Sequence, residues 1–267
     1  MQKIALKKIE IYQFNLLSKH RSINHFITTK NPNYSKSFSL SLSSVENTEP
    51  IIKNRELLAK ELNIPVANFA FQQQEHTNNV TVVESNLRAK SFYKHSDGYP
   101  DNDAMISAEK NICLMIMGAD CVPILFYDPI KKVIGAAHAG WRGTVKNIAS
   151  ETIKRMQKEF GCLLSDIIAG IGPSIGPENY EVDEPVYNAF KKQFKYADEL
   201  FRKTENQGKY YLDLWSANQM QLIASGLKKE HIEISGICTF ENNSSFFSAR
   251  KGDLGRFAAG IMMMKPT

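Results

Sequence analysis

NICLMIMGADCVPILFYDPIKKVIGAAHAG, residues 111–140, holds three apolar runs divided by two polar, turn-forming breaks. Runs this short and this apolar, rich in Ile, Val, Leu and Met, read as strands buried on both faces. GAD and DPIKK are their punctuation, because Gly, Asp and Pro favour turns. The stretch therefore predicts three closely linked strands forming a sheet core.

Outward from this centre, strands alternate with helical patterns. Toward the N-terminus, residues 51–63 carry apolar side chains at helical spacing and end at Asn63, before Pro65. Phe69–Gln73 and Val80–Val83 read as strands flanking a polar turn, and a polar loop spans about 84–102. Residues 3–17 read as an opening strand, and 24–46 as short strands joined by loops. Toward the C-terminus, Thr144–Phe160 reads as a helix closed by Gly161, Ile167–Ile171 as a strand, 184–202 and 213–227 as helices, and Ile232–Cys238 as a strand. This alternation predicts a layered α/β or α+β domain occupying all of residues 1–267.

Composition narrows the class further. Of 267 residues, 43% are hydrophobic and 23% charged, enough for a sizeable core and unlike a disordered chain. The net charge of +5 favours anionic ligands, but no run of Lys and Arg exceeds two residues, so no nucleic-acid stripe is expected. No stretch of 18 or more apolar residues occurs, and the N-terminus lacks the pattern of a secretory signal; no membrane span and a cytoplasmic location are expected. The four cysteines, Cys113, Cys121, Cys162 and Cys238, show no CxxC spacing, which predicts free thiols. A monomer or weak homodimer is expected.

Four short segments carry the chemistry. In GADCVP, residues 118–123, Asp120 and Cys121 sit at a break between apolar strands, where a rigid sheet presents reachable side chains. Cys113 lies inside ICLMIM and reads as inert. In HAGWRG, residues 138–143, His138 ends a strand; the glycines permit a tight turn, and Arg142 beside a helix start suits phosphate or a carboxylate. The QQEHTNN stretch places His76 in a polar turn. Two imidazoles and one thiolate at strand edges make a three-ligand set for zinc with a fourth position open to water or substrate. Cys121 with a nearby His also suits a metal-free cysteine hydrolase, since both chemistries need the thiolate. In FFSARKGDLGR, residues 246–256, Phe247 could stack on a ring while Arg250 grips an anion.

Assembled, the chain resembles the YfiH or laccase-domain family, also described as multi-copper polyphenol oxidoreductases and as purine nucleoside phosphorylases. The resemblance rests on QQEHTNNV, DAMIS, ADCVPILFYDP, GAAHAGWRGTV, IGPSIGPENYEV, LDLWSANQMQL and CTFENNSSFFSARKGDLGR, covering most of the chain from about residue 70 onward. It implies a three-layer α/β/α arrangement with a mixed sheet, similar to the catalytic domain of the cytotoxic necrotizing factor toxins. It places the family's metal-binding His, Cys and His on His76, Cys121 and His138. The implied activity is zinc-dependent phosphorolysis of adenosine, inosine, guanosine and methylthioadenosine, with adenosine deamination as a second reaction. Asp120 is then a support or proton shuttle, and Arg142 and Arg250 meet the phosphate. Copper-dependent oxidation of phenols is the alternative, but only six histidines are present, and His20, His25, His95 and His231 lie outside the motifs. The chain departs from the family pattern at Thr77, where Gly is usual, at Lys251 in place of an Arg, and at Thr29 to Pro32.

Overall fold

The computed structural model describes residues 1–43, 46–84 and 92–264. Residues 85–91 of the polar loop expected at 84–102 lie outside this set. The chain begins with strands β1 (Gln2–Ala5) and β2 (Glu10–Gln13), a single turn α1 (Asn15–Ser18) and strand β3 (Ile23–Thr28). Helix α2 (Glu49–Leu62) follows, started by Pro50 and stopped at Asn63, whose φ of 52° turns the backbone left-handed. Short strands β4 (Phe69–Ala70) and β5 (Val80–Val82) flank the His76 turn, and β6 (Ala104–Ser107) precedes the central stretch.

The central stretch forms the three expected strands, β7 (Cys113–Gly118), β8 (Val122–Asp128) and β9 (Val133–Ala139), but they do not share one sheet. Strand β7 pairs with β15 (Phe257–Met263) and β4 in a first sheet ordered β1-β2-β3-β15-β7-β4. Strands β8 and β9 form a hairpin in a second sheet that also holds β5, β6, β10 (Ile168–Ile171) and β14 (Ile232–Ile234). Gly118 to Asp120 is thus a crossover from one sheet to the other. Asp120 takes a φ of 83°, and a Cβ at Gly118 would stand 2.9 Å from the Phe257 ring, so the chain turns where only small or left-handed-tolerant residues fit. Apolar patterning alone cannot separate the two arrangements, because strands in either are buried on both faces.

Each sheet mixes antiparallel pairs with parallel edge strands, as β4 on β7 and β5 on β6. The sheets pack face to face: Leu114, Ile116, Phe257 and Ala259 meet Leu125, Tyr127, Ile134 and Ala136. Leu58 and Ala59 of α2 cover the outer face of the first sheet with Phe26 and Met115. On the second sheet, Ile153 and Met156 of α4 (Ile148–Phe160) and Ala217 and Leu222 of α6 (Leu214–Ala224) cover Ile124, Phe126 and Ala137. The α/β architecture with mixed sheets is therefore as expected, and the central layer is doubled. Two sheets are needed because β8 alternates its large side chains between faces, Ile124 and Phe126 toward helices, Leu125 and Tyr127 toward the other sheet.

Several elements are shorter than the sequence pattern predicts, and three of them change the topology or its boundaries. The helix expected at 144–160 is two pieces, α3 (Trp141–Val145) and α4, broken at Asn147 with φ 63°; Gly161 closes α4 as expected. The helix expected at 184–202 stops as α5 (Glu184–Gln193), and Phe201–Lys203 becomes β12. Strand β12 pairs with β13 (Lys209–Leu212), which pairs with β11 (Glu181–Asp183), in a small sheet against which α5 packs, Tyr187 stacking on Tyr210 of β13 at 4.4 Å. Strand β14 ends at Ile234, ahead of Gly236 with φ 64°, so Cys238 lies beyond it. No helix among the described residues is long and apolar enough to cross a membrane.

Candidate metal centre

His76, Cys121 and His138 come together although 62 residues separate the first from the last in sequence, and their ligand atoms all lie within 4.8 Å of one another. Each arrives by a different device. His76 sits in the turn between β4 and β5 with φ 59°, and Lys146 Nζ donates to its carbonyl at 2.9 Å. Cys121 follows the Asp120 crossover at the mouth of β8. His138 lies within β9, opposite Pro123 of β8, and is only 4% exposed.

Asp103 ties the set together. Its Oδ1 accepts from His138 Nδ1 at 2.8 Å, and its Oδ2 accepts from the Glu75 and Thr77 backbone N–H groups at 3.1 and 2.6 Å. One buried carboxylate therefore orients His138 and also clamps the turn that carries His76. With Nδ1–H committed to Asp103, the Nε2 lone pair of His138 is left to face the centre. Asp103 is absent from the sequence reading of the site. Its signal was only its place at the head of DAMIS, and its partnership requires β6 to pair with β9, which residue spacing does not reveal.

The arrangement fits a tetrahedral metal. Cys121 Sγ and His76 Nε2 are 3.9 Å apart, and two ligands at zinc–sulfur and zinc–nitrogen bond lengths stand about 3.6 Å from each other at a tetrahedral angle. Gly140 guards the space: a Cβ there would lie 2.9 Å from both Cys121 Sγ and His76 Cδ2. Its φ of −68° suits any residue, so glycine is required here by room rather than by turn geometry. Burial pushes the Cys121 thiol up, but the charge of His138 and hydrogen bonds from His138 and His76 bring it well below the usual thiol range. Burial pushes His138 down, and the Cys121 sulfur and Asp103 more than reverse this. The surroundings of Cys121 thus favour its thiolate, and with the Nε2 lone pair of a neutral His138 they offer sulfur and nitrogen donors suited to a soft or borderline cation.

The remaining predicted residues take different places. Both carboxylate oxygens of Asp120 are engaged, Oδ1 by Thr239 Oγ1 at 2.6 Å, Oδ2 by Ser248 Oγ at 3.0 Å and the Arg250 N–H at 2.7 Å. Asp120 thereby anchors the 239–250 segment to the crossover that presents Cys121. Arg142 is exposed and lies over the Trp141 ring at 4.3 Å. Arg250 is exposed, donates to the Glu181 carbonyl and lies 5.3 Å from the centre of the Tyr180 ring. Tyr180, which the sequence reading did not single out, has its hydroxyl held above the usual range by burial and by the charge of Cys121. Phe247 is only 3% exposed and packs in the core between the sheets, so it offers no open face to a ring. Its aromatic, loop-like context suggested exposure; the close approach of Gly255 seals it in.

Fold and site together define a protein of two packed sheets with, among the described residues, one His–Cys–His cluster that could hold a metal ion where the chain crosses between the sheets. Residues 24–264 match the profile of the family described as multi-copper polyphenol oxidoreductase laccase, and the chain belongs to that family. It is 36% identical over 258 residues to a purine nucleoside phosphorylase of Bacteroides thetaiotaomicron, covering 94% of this chain and 96% of that one. It is 38% identical to the purine nucleoside phosphorylase YlmD of Bacillus subtilis, over 88% of this chain and 87% of that one. Among solved structures, the YfiH protein of Bacillus licheniformis superposes with a TM-score of 0.88 at 29% identity, covering 95% of this chain and 96% of that one.

Proposed function

We propose that this chain is a zinc-dependent purine nucleoside phosphorylase, taking adenosine, inosine, guanosine or methylthioadenosine and phosphate to the free base and a pentose 1-phosphate. The observation that carries this reading is the His76–Cys121–His138 centre, with Asp103 behind it, in a chain that matches relatives of that activity almost end to end. His76, Cys121 and His138 would hold zinc, which would supply a Lewis acid to the substrate. The chain's own residues do the rest. Asp103 keeps His138 in the tautomer that offers Nε2 to the centre. Arg142 and Arg250, both exposed, the latter 5.3 Å from the centre of the Tyr180 ring, offer positive charge to a phosphate. Asp120 holds the Arg250 backbone and so sets where that charge stands.

The ligand set favours a mononuclear site. Among the described residues, this is the one group of three or more His, Cys, Asp or Glu side chains arranged to hold a metal. His25 accepts from the Phe14 N–H, and His20 packs edge-on against Tyr127, so neither extends the centre toward the several imidazoles that multicopper oxidation needs.

A product assay tests the reading: adenosine, inosine and methylthioadenosine are each supplied with and without phosphate. Free base plus pentose 1-phosphate, only with phosphate and only in zinc-loaded protein, is the expected result. Inosine from adenosine identifies deamination as an additional activity, and oxygen uptake with a phenol and copper identifies the oxidase. Turnover undiminished in metal-free protein makes Cys121 and His138 a hydrolase pair and overturns the zinc reading.

A further inference from the structure

His76 and His138 also line a cleft of about 200 Å³ whose other walls include Leu42, Phe71, Gln72 and Met117. That volume is below the ≈ 300–1,000 Å³ of pockets for drug-sized ligands and suits a flat ring system. Leu42, Phe71 and Met117 offer apolar contact to an aromatic base, in a cleft whose polar lining besides Gln72 includes Gln74, His95, Arg55 and Arg256.

Gln72 is 6% exposed, and its Nε2 has no hydrogen-bond partner among the described residues. A buried amide donor left unmade is costly, so the geometry calls for an acceptor from outside the chain. The orientation of the amide is fixed by Asn102. Asn102 Nδ2 donates to Gln72 Oε1 at 2.6 Å and to the Ala104 carbonyl at 2.8 Å, while its Oδ1 accepts from Thr81 Oγ1 at 3.0 Å. Turning Gln72 over would set two NH₂ groups against each other. The carbonyl is therefore spoken for, and the amino group is what Gln72 has to offer.

Resting on the phosphorylase reading, we propose that Gln72 selects the base, donating to the O6–N7 edge of a 6-oxopurine and disfavouring a 6-aminopurine. A Gln that reads adenine uses its carbonyl on N6 and its amino group on N7 together. Gln72 lacks the free carbonyl. Hypoxanthine and guanine present two acceptors, O6 and N7, along this edge, whereas adenine sets an N6 donor against the Gln72 donor.

Equilibrium binding of hypoxanthine and adenine to the zinc-loaded full-length protein, by titration calorimetry, tests this beside kcat/KM for inosine and adenosine. The native protein should prefer hypoxanthine about tenfold, the discrimination of one good base-edge contact, and Gln72→Met should shrink this to within about threefold. Gln72→Glu keeps the acceptor for Asn102 and replaces the donor, so it serves if the Met variant does not fold, and its preference should move toward adenine. No binding of either base, no preference in the native protein, or a preference unchanged in the folded variants overturns the assignment. Base binding is read without turnover. A Gln72-dependent preference without phosphorolysis therefore counts against the phosphorylase reading alone, and phosphorolysis without the preference counts against this assignment alone.

Discussion

Asp103 and His138 are joined twice, side chain to side chain through Oδ1 and Nδ1 at 2.8 Å and backbone to backbone through the Asp103 carbonyl and the His138 N–H, also at 2.8 Å. The double link makes β6 a rigid support for the metal ligand on β9. Asp103→Asn keeps the volume but offers an amide in place of a charged acceptor, so the tautomer of His138 is no longer enforced and the Glu75–Thr77 clamp weakens. Zinc affinity should fall about 10–100-fold, the usual cost of losing the partner behind a ligating histidine. Competition with a chelator of known affinity measures it; an unchanged affinity would show that Asp103 does not tune the centre.

Gly140→Ala separates space from backbone conformation. Because φ at Gly140 is −68°, alanine should fold there, yet its methyl group would press on Cys121 Sγ and His76 at 2.9 Å. The expected protein is folded, with circular dichroism like the parent, but holds well under one zinc per chain by elemental analysis. Full zinc occupancy in this variant would mean that the centre yields easily and is not preorganised by Gly140.

Cys121 should be the reactive thiol of the metal-free protein. Cys113 and Cys162 are buried and pushed far up by desolvation, whereas His138 and His76 hold the Cys121 thiol below its ordinary value. A depressed value means that the thiolate persists as pH falls below the range where free cysteine protonates. Alkylation by iodoacetamide at pH 7 should therefore label Cys121 before these two, and zinc should protect it. Mass spectrometry showing Cys113 or Cys162 labelled first would contradict this ordering.

The triad was legible because its residues stand at breaks in apolar runs, where thiol and imidazole side chains are conspicuous, and because the surrounding motifs match a family pattern. The helix at Glu49–Leu62 and the hairpin of β8 and β9 were legible for the same local reasons: periodicity, an αL cap at Asn63, and a Pro-containing turn. What stayed hidden was long-range. Nothing local to residues 113–118 tells whether β7 joins β8 or β15, since β15 lies over a hundred residues away and both faces of β7 are apolar in either case. Asp103 and Tyr180 were hidden because an acid and a tyrosine acquire meaning from what they touch. Phe247 was misplaced by composition: an aromatic pair in a loop rich in Gly, Arg and Lys suggests an exposed platform, but Gly255 lets that loop close over the ring.

His25 governs acid stability apart from the metal centre. It is 1% exposed, its Nε2 accepts from the Phe14 N–H at 2.8 Å, and its ring stacks on Phe14. Burial lowers its pKa from 6.5 to about 4, so the folded chain keeps it neutral where the unfolded chain takes up a proton. The sign follows directly. This contribution is fully present above pH 6.5 and is lost as pH falls toward 4, for a total of roughly 3 kcal/mol at 1.36 kcal/mol per pKa unit. His25→Gln can still offer an oxygen to the Phe14 N–H but has nothing to protonate. It should lower stability at pH 7 through poorer packing and flatten the decline between pH 6.5 and 4. Urea unfolding of metal-free protein across that range measures both effects, and a variant whose stability falls with the same slope as the parent would assign the acid sensitivity to other groups.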